Sequence, residues 1–172
     1  MATTYELIAS TTVGSGGASS ITFMSTGNIP NTYTDLKILA SLRTNRSNIN
    51  DSLELQLNGS TSNRSSRNIS GDGSATASDT TLAVIYAAID GNTVTSSTFA
   101  NVEIYIPNYL SSNYKSVSAD GVMEANSTQC YSSLNAWLWS DTSQVTSITL
   151  KPILGSNFTQ YSTAYLYGIK NS

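Results

Sequence analysis

The chain has 172 residues, a formal net charge of −3 and only 11% charged residues, against about 25% in an average protein. This length suits one domain, predicted over residues 1–172, with a core of ordinary size. Because the chain has no histidine, Ser-His-Asp catalysis, Cys-His catalysis and histidine-ligated metal sites are excluded. Its eight basic residues are scattered and do not form the stripe that nucleic-acid-binding proteins use, so we expect no nucleic-acid partner.

No apolar run reaches the 18 residues of a transmembrane helix, and the N-terminal residues lack the basic region and the apolar length of a signal peptide. We therefore expect no membrane partner and a protein that is made in a cytoplasm and not secreted. The single cysteine, Cys130, excludes an intrachain disulfide and is predicted to be a small buried side chain.

The first predicted strands alternate between apolar and polar residues, with the period of two that a half-buried strand requires. Residues 5–10 and 21–24 are predicted strands on either side of a Gly/Ser turn at 13–20. An amphipathic strand follows at 35–43. A further strand at 53–57 ends at an Asn-Gly dipeptide, which is a strong turn signal because both residues accept positive φ.

Residues 59–79 are the least organised part of the sequence, rich in Ser, Asn and Gly. They are predicted to form a long functional or mobile loop. Asp72 lies between two glycines, as in some calcium loops, but only Asp79 is near it in sequence. Since calcium takes six to eight oxygen ligands, we expect no metal site here. The apolar residues 80–89 fit a helix or a buried strand, and their β-branched side chains favour the strand.

The stretch 97–115 organises the second half of the chain. Its aliphatic residues from Val102 to Ile106 face one way, and Glu103 and Tyr105 face the other. Pro107 then ends the strand, because proline has no N–H to give to a neighbouring strand.

Four more strands are predicted at 114–123, 129–140, 146–152 and 162–169. In the strand at 129–140, the alternation predicts a core face of Leu134, Ala136 and Leu138. Trp137 and Trp139 are predicted on the opposite face. The whole pattern gives about ten strands and no helix. It predicts an all-β fold, a two-sheet antiparallel sandwich of jelly-roll type, with an immunoglobulin-like sandwich as the alternative.

Paired carboxylates are the one catalytic arrangement that the composition leaves open, since a glycosidase needs only two of them at the right separation. Of the eleven acidic residues, Glu54 and Glu103 are the best candidates, because both lie inside strands on the polar face. We interpret them as solvated or paired surface carboxylates. The sequence therefore predicts no enzyme, no catalytic residue and no cofactor.

Aromatic residues opposite aliphatic faces are more informative. Tyr and Trp with few neighbouring charges are typical of protein–protein contacts or of surfaces that bind sugars. The candidate protein-interface residues are Tyr105, Tyr109, Tyr114, Trp137, Trp139, Tyr165 and Tyr167. Two alternatives stay open: the core face is assigned the wrong way round, or loops cover these rings.

Eight short stretches together carry a family resemblance that runs nearly end to end: T-Y-E-L-I-A-S at 4–10, I-P-N-T-Y-T-D-L at 29–36, G-D-G-S at 71–74, E-I-Y-I-P-N-Y at 103–109, N-Y-K-S at 113–116, L-W-S at 138–140, S-I-T-L at 147–150 and Q-Y-S-T-A-Y-L-Y-G-I at 160–169. The chain resembles small virion structural proteins of tailed bacteriophages. No catalytic or ligand motif comes with this resemblance, so no functional residue is carried over.

The resemblance implies a protein of the virion, made in the host cytoplasm. The first expectation is a capsid decoration (cement) protein, a homotrimer that binds the major capsid protein or other virion proteins and stabilises the shell. The alternative is a tail-fibre or receptor-binding module that contacts polysaccharide on the host surface. No heptad pattern for a trimerising stalk is present, which favours the first.

Overall fold

The computed structural model describes residues 4–24, 29–80, 84–126 and 129–170, with the side chains of all but residues 86–88. This part of the chain contains twelve β-strands and no helix. No helix that could cross a membrane is found in it. The predicted all-β fold of two antiparallel sheets is confirmed, with twelve strands in place of about ten.

The strands, in chain order, are β1 (Tyr5–Thr12), β2 (Ile21–Phe23), β3 (Asp35–Leu42), β4 (Asn50–Leu57), β5 (Arg64–Gly71), β6 (Thr76–Asp79), β7 (Ile85–Asp90), β8 (Ala100–Ile106), β9 (Lys115–Met123), β10 (Tyr131–Trp139), β11 (Ile148–Pro152) and β12 (Thr163–Ile169). Eight of them form one sheet in the order β1-β12-β3-β8-β9-β10-β5-β6. The other four form a second sheet, β2-β11-β4-β7. The arrangement is a β-sandwich; its assignment to the jelly-roll type stays a prediction.

The hydrophobic core lies between the two sheets, and both sheets contribute buried apolar residues to it. Strand β8 shows this directly: Val102, Ile104 and Ile106 are buried, and the strand ends before Pro107, as predicted. The facing side of the core comes from the four-stranded sheet, where Leu55 is fully buried. Strand β7 confirms that residues 85–89 of the predicted apolar segment 80–89 are extended; residues 81–83 lie outside the described part.

Strand β10 turns inward the face that the sequence analysis assigned to solvent. Trp137 and Trp139 are 1% and 2% exposed, whereas Leu134 is 53% exposed, Ala136 is exposed and Leu138 is half-buried. The prediction was wrong because an alternating pattern defines two faces without saying which one is covered. The indole rings bury more apolar area per residue than Leu or Ala, and this decides the orientation.

The prediction of a loop at 59–79 was also wrong, since this segment contains the hairpin of β5 and β6. Strand β5 pairs with β10 over its whole length and buries Ser66, Asn68 and Ser70. Buried and exposed residues do alternate along β5, but its buried residues are small and polar. A search for alternating aliphatic residues therefore does not find the strand. Asp72 Oδ1 stabilises the hairpin turn by accepting hydrogen bonds from the backbone N–H of Ser74 and Ala75 at 2.9 and 2.7 Å.

Gly168 on β12 is required because the ring of Tyr33 packs directly on it. A Cβ at Gly168 would lie 2.3 Å from Tyr33 Cγ, far inside contact distance. We expect Gly168→Ala to lower the free energy of unfolding by about 1–3 kcal/mol, the usual cost of overpacking. Urea denaturation measures this. In a Tyr33→Ser background the same substitution should cost much less, and an equal loss in both backgrounds would contradict this contact.

Candidate functional site

The face of the eight-stranded sheet that points away from the core is called the outer face below. Residues opposite each other on paired strands share a face, so rows of side chains can be followed across it. One such row, read from β12 to β5, consists of Tyr165, Leu39, Glu103, Asp120, Leu134 and Ile69. It brings together residues that are as far apart in the chain as Leu39 and Tyr165.

Exposed apolar side chains are concentrated on this outer face. Ten large apolar residues of the described part are exposed, and seven of them are on the outer face: Tyr5, Leu7, Leu39, Ile69, Val122, Leu134 and Tyr165. The remaining three, Tyr114, Leu154 and Tyr161, lie on loops. Single exposed apolar residues are ordinary, but a concentration on one face is typical of an interaction surface.

The centre of the outer face is charged and ordered by one ion pair. Lys37 Nζ lies 2.6 Å from Glu103 Oε1, and the hydrogen bond to this carboxylate raises the pKa of Lys37. Asp120 lies directly opposite Glu103 on β9. Desolvation, and then the neighbouring charge of Glu103, raise the pKa of Asp120. One lysine therefore serves two adjacent carboxylates.

The two carboxylates considered for glycoside hydrolysis are not brought together. Glu103 lies on the outer face, whereas Glu54 lies on β4 of the other sheet, where Arg64 Nη1 is 2.9 Å from its Oε1. Both are paired surface carboxylates, as interpreted from the sequence. That the protein is not an enzyme stays a prediction.

Three of the predicted interface tyrosines, Tyr105, Tyr165 and Tyr167, do share the outer face. Tyr165 is 38% exposed and Tyr167 is half-buried. Tyr105 is held in place, because its Oη donates a hydrogen bond of 2.7 Å to Asp35 Oδ2. The same carboxylate accepts a bond from the backbone N–H of Asn108. The bond to Asp35, followed by desolvation, raises the pKa of Tyr105 to about 12.

The Tyr105–Asp35 bond predicts a pH dependence. Since the folded pKa of about 12 exceeds the unfolded value of about 10, the stability that the phenol contributes is complete below about pH 10 and is lost towards pH 12. We expect Tyr105→Phe to be less stable by about 1–2 kcal/mol at pH 8. Unfolding free energies measured from about pH 8 to about pH 11.5 should converge for the two proteins. A difference that stays constant with pH would contradict this bond.

The other four predicted interface residues are not part of this face. Tyr109 is fully buried, with its Oη donating to the backbone carbonyl of Pro30. Trp137 and Trp139 are in the core, as described above. These three interface predictions are wrong as surface assignments, because the core face of β10 was reversed and because the turn after β8 folds Tyr109 inward. Tyr114 is 59% exposed but lies on a loop.

Comparison with known proteins found no family model, no curated protein and no solved structure that matches the chain.

The half of the outer face near β6 forms a depression, called the outer concavity below, with a volume of about 700 Å³. Ile69, Val122 and Leu134 provide its aliphatic wall, and Asp120 lies at its β9 side. Sequence reasoning missed this feature, because Ile69 was placed in a loop and Leu134 in the core. The sequence feature that could have indicated it is that Ile69 and Leu134 are each a single aliphatic residue with polar residues beside them.

Within the described ranges, no group of three or more His, Cys, Asp or Glu residues could hold a metal ion. The carboxylate of Asp72 is used by the β5–β6 turn instead, and the three hydrogen bonds that it accepts lower its pKa. Cys130 is free and partly exposed, not buried as predicted.

Proposed function

We propose that this protein is a structural component of a tailed-bacteriophage virion, a capsid decoration protein that binds the outside of the head and stabilises the shell. The family resemblance supports the virion, and the concentration of exposed apolar residues on the outer face supports a role in binding. A protein that acts by burying surface needs a broad, weakly charged face with aromatic and aliphatic anchors. The outer face has both kinds of anchor.

The distribution of anchors over the outer face suits a protein that bridges two partners. Two tyrosines, Tyr5 at 50% and Tyr165 at 38% exposed, lie together with Leu7 on the half formed by β1 and β12. Aliphatic residues, with Ile69 and Leu134, lie on the half formed by β5 and β10. The ion pair of Lys37 and Glu103 separates the halves and can fix the register of a bound partner. We infer that one half contacts the major capsid protein and the other a second capsid subunit or another copy in a homotrimer.

The direct experiment is to incubate the purified protein with phage heads that lack it, pellet the heads and count the bound copies. We expect stoichiometric binding, and heads that then withstand heating better than untreated heads. Heads that pellet without the protein would contradict a decoration role.

The tyrosines near β1 favour one alternative, a tail-fibre or receptor-binding module that contacts host surface polysaccharide. Exposed tyrosine rings present both an apolar surface and a hydroxyl group to a sugar. Adsorption of the labelled protein to host cells, lost in Tyr5→Ser and Tyr165→Ser variants, would support this alternative. Binding to heads without adsorption to cells would exclude it in favour of decoration.

A further inference from the structure

We propose that the outer concavity is a docking site for an extended segment of a partner polypeptide, one that presents aliphatic side chains followed by a lysine or arginine. The proposal goes beyond the virion role and does not depend on it, since it concerns what this surface binds in the isolated protein. Three features of the concavity lead to it.

The wall of the concavity is aliphatic. Ile69, Val122 and Leu134 are 60%, 46% and 53% exposed, and the other described residues around them are small and mostly polar, such as Ser132 and Ser78. None of the described residues that line the concavity is aromatic, so this lining offers no ring against which a sugar would pack. The concavity is an open depression, and its volume of about 700 Å³ is large enough to receive several side chains. Burying these three residues favours an aliphatic occupant.

The only charge on the described lining is negative. Asp120 lines the concavity, and no lysine or arginine does. Asp120 forms no ion pair with any described residue, and its neighbour Glu103 is already paired with Lys37 at 2.6 Å. Adjacent like charges are unfavourable unless a cation approaches; Lys37 offsets this only in part, since desolvation and Glu103 raise the pKa of Asp120 by more than Lys37 lowers it. A basic side chain of a partner would offset the repulsion between Asp120 and Glu103, whereas nucleic acid or anionic lipid would be repelled.

The width of the concavity sets the length of the segment that it can bind. Strand β6 ends the sheet, and all four of its residues are exposed. From β9 to β6 is three strand spacings, about 14 Å, so about five extended residues cross the concavity.

The probe is a fluorescein-labelled six-residue peptide with a serine, three leucines, a glycine and a C-terminal arginine amide. Binding to the full-length protein is measured by fluorescence polarisation and by shifts of backbone amide signals in NMR. We expect the largest amide shifts at Ile69, Val122 and Leu134. A peptide with glutamate in place of arginine should bind about two- to fivefold more weakly, as expected for an exposed ion pair.

Two variants and one control make the experiment decisive. Asp120→Asn should remove the preference for arginine over glutamate, and Leu134→Ser should lower the affinity about tenfold. Leu154→Ser, which changes a leucine exposed on a loop, should bind as the wild type does. Binding that is equal for both peptides and unchanged in both variants would overturn the proposal. So would binding of arginine amide alone as tight as that of the peptide.

Discussion

Replacing Trp137 by alanine is expected to lower the free energy of unfolding by about 3–5 kcal/mol, the usual cost of removing a large aromatic side chain from a core. Trp137 is 1% exposed and contributes to the main hydrophobic cluster between the sheets. Chemical denaturation followed by circular dichroism measures the loss. It should appear as a lower denaturation midpoint with a similar slope.

The matched control for Trp137→Ala lies three residues away on the same strand. Leu134 is 53% exposed on the outer face, so Leu134→Ala should cost less than about 1 kcal/mol. Comparable losses for the two variants would mean that β10 does not present its tryptophans to the core. A larger loss for Leu134→Ala would restore the original assignment of its faces.

The second large loss of stability is expected on replacing Asp51, a fully buried carboxylate at the start of β4. It accepts hydrogen bonds from the backbone N–H of Ser52, Leu154 and Gly155 at 2.8, 3.1 and 2.7 Å, and from the Thr44 hydroxyl at 3.3 Å. Asp51→Ala leaves three backbone amides without this acceptor. Since a hydrogen bond to a charged group contributes about 1.5–3 kcal/mol, and these donors are partly buried, we expect a total loss of about 3–5 kcal/mol in thermal or urea unfolding.

Asp51→Asn serves as the partial substitution, because the amide keeps one acceptor oxygen but turns an NH₂ group towards a backbone donor. Its loss should be intermediate. Asp141→Ala is the control, because this carboxylate accepts its 2.8 Å hydrogen bond from the backbone N–H of Ser143 in an exposed turn. If Asp51→Ala were no more destabilising than Asp141→Ala, the carboxylate would not be holding the loop after β11 in place.

Strand β8 was predictable from sequence because one of its faces is aliphatic and the other is polar. The period of two then predicts both that the segment is a strand and which of its faces is buried. Strand β10 has apolar residues on both faces, so the same period predicts the strand but not which face is buried. Only the space between the sheets, which the tryptophan rings fill, decides between Trp137 and Leu134.

The hairpin of β5 and β6 was missed for a different reason. Strand β5 places Asn68 opposite Asn135 and Ser70 opposite Ser133, so a polar strand is completed by a polar partner about sixty residues away. Local propensity does not report such a pairing, since strand formation depends on the neighbouring strand. The candidate site is equally non-local: the Glu103–Asp120 pair and the outer concavity both depend on the register between strands.

The central proposal is that the outer face is the surface that binds the head, and a binding measurement tests it most directly. Bound copies per head should be counted for the wild type, for Leu39→Asp at the centre of the outer face and for Leu154→Asp on a loop. We expect the wild type and Leu154→Asp to bind stoichiometrically and Leu39→Asp to lose most of its binding, because a carboxylate would be buried in an apolar contact. Equal binding by Leu39→Asp, or no binding by the wild type, would contradict the account.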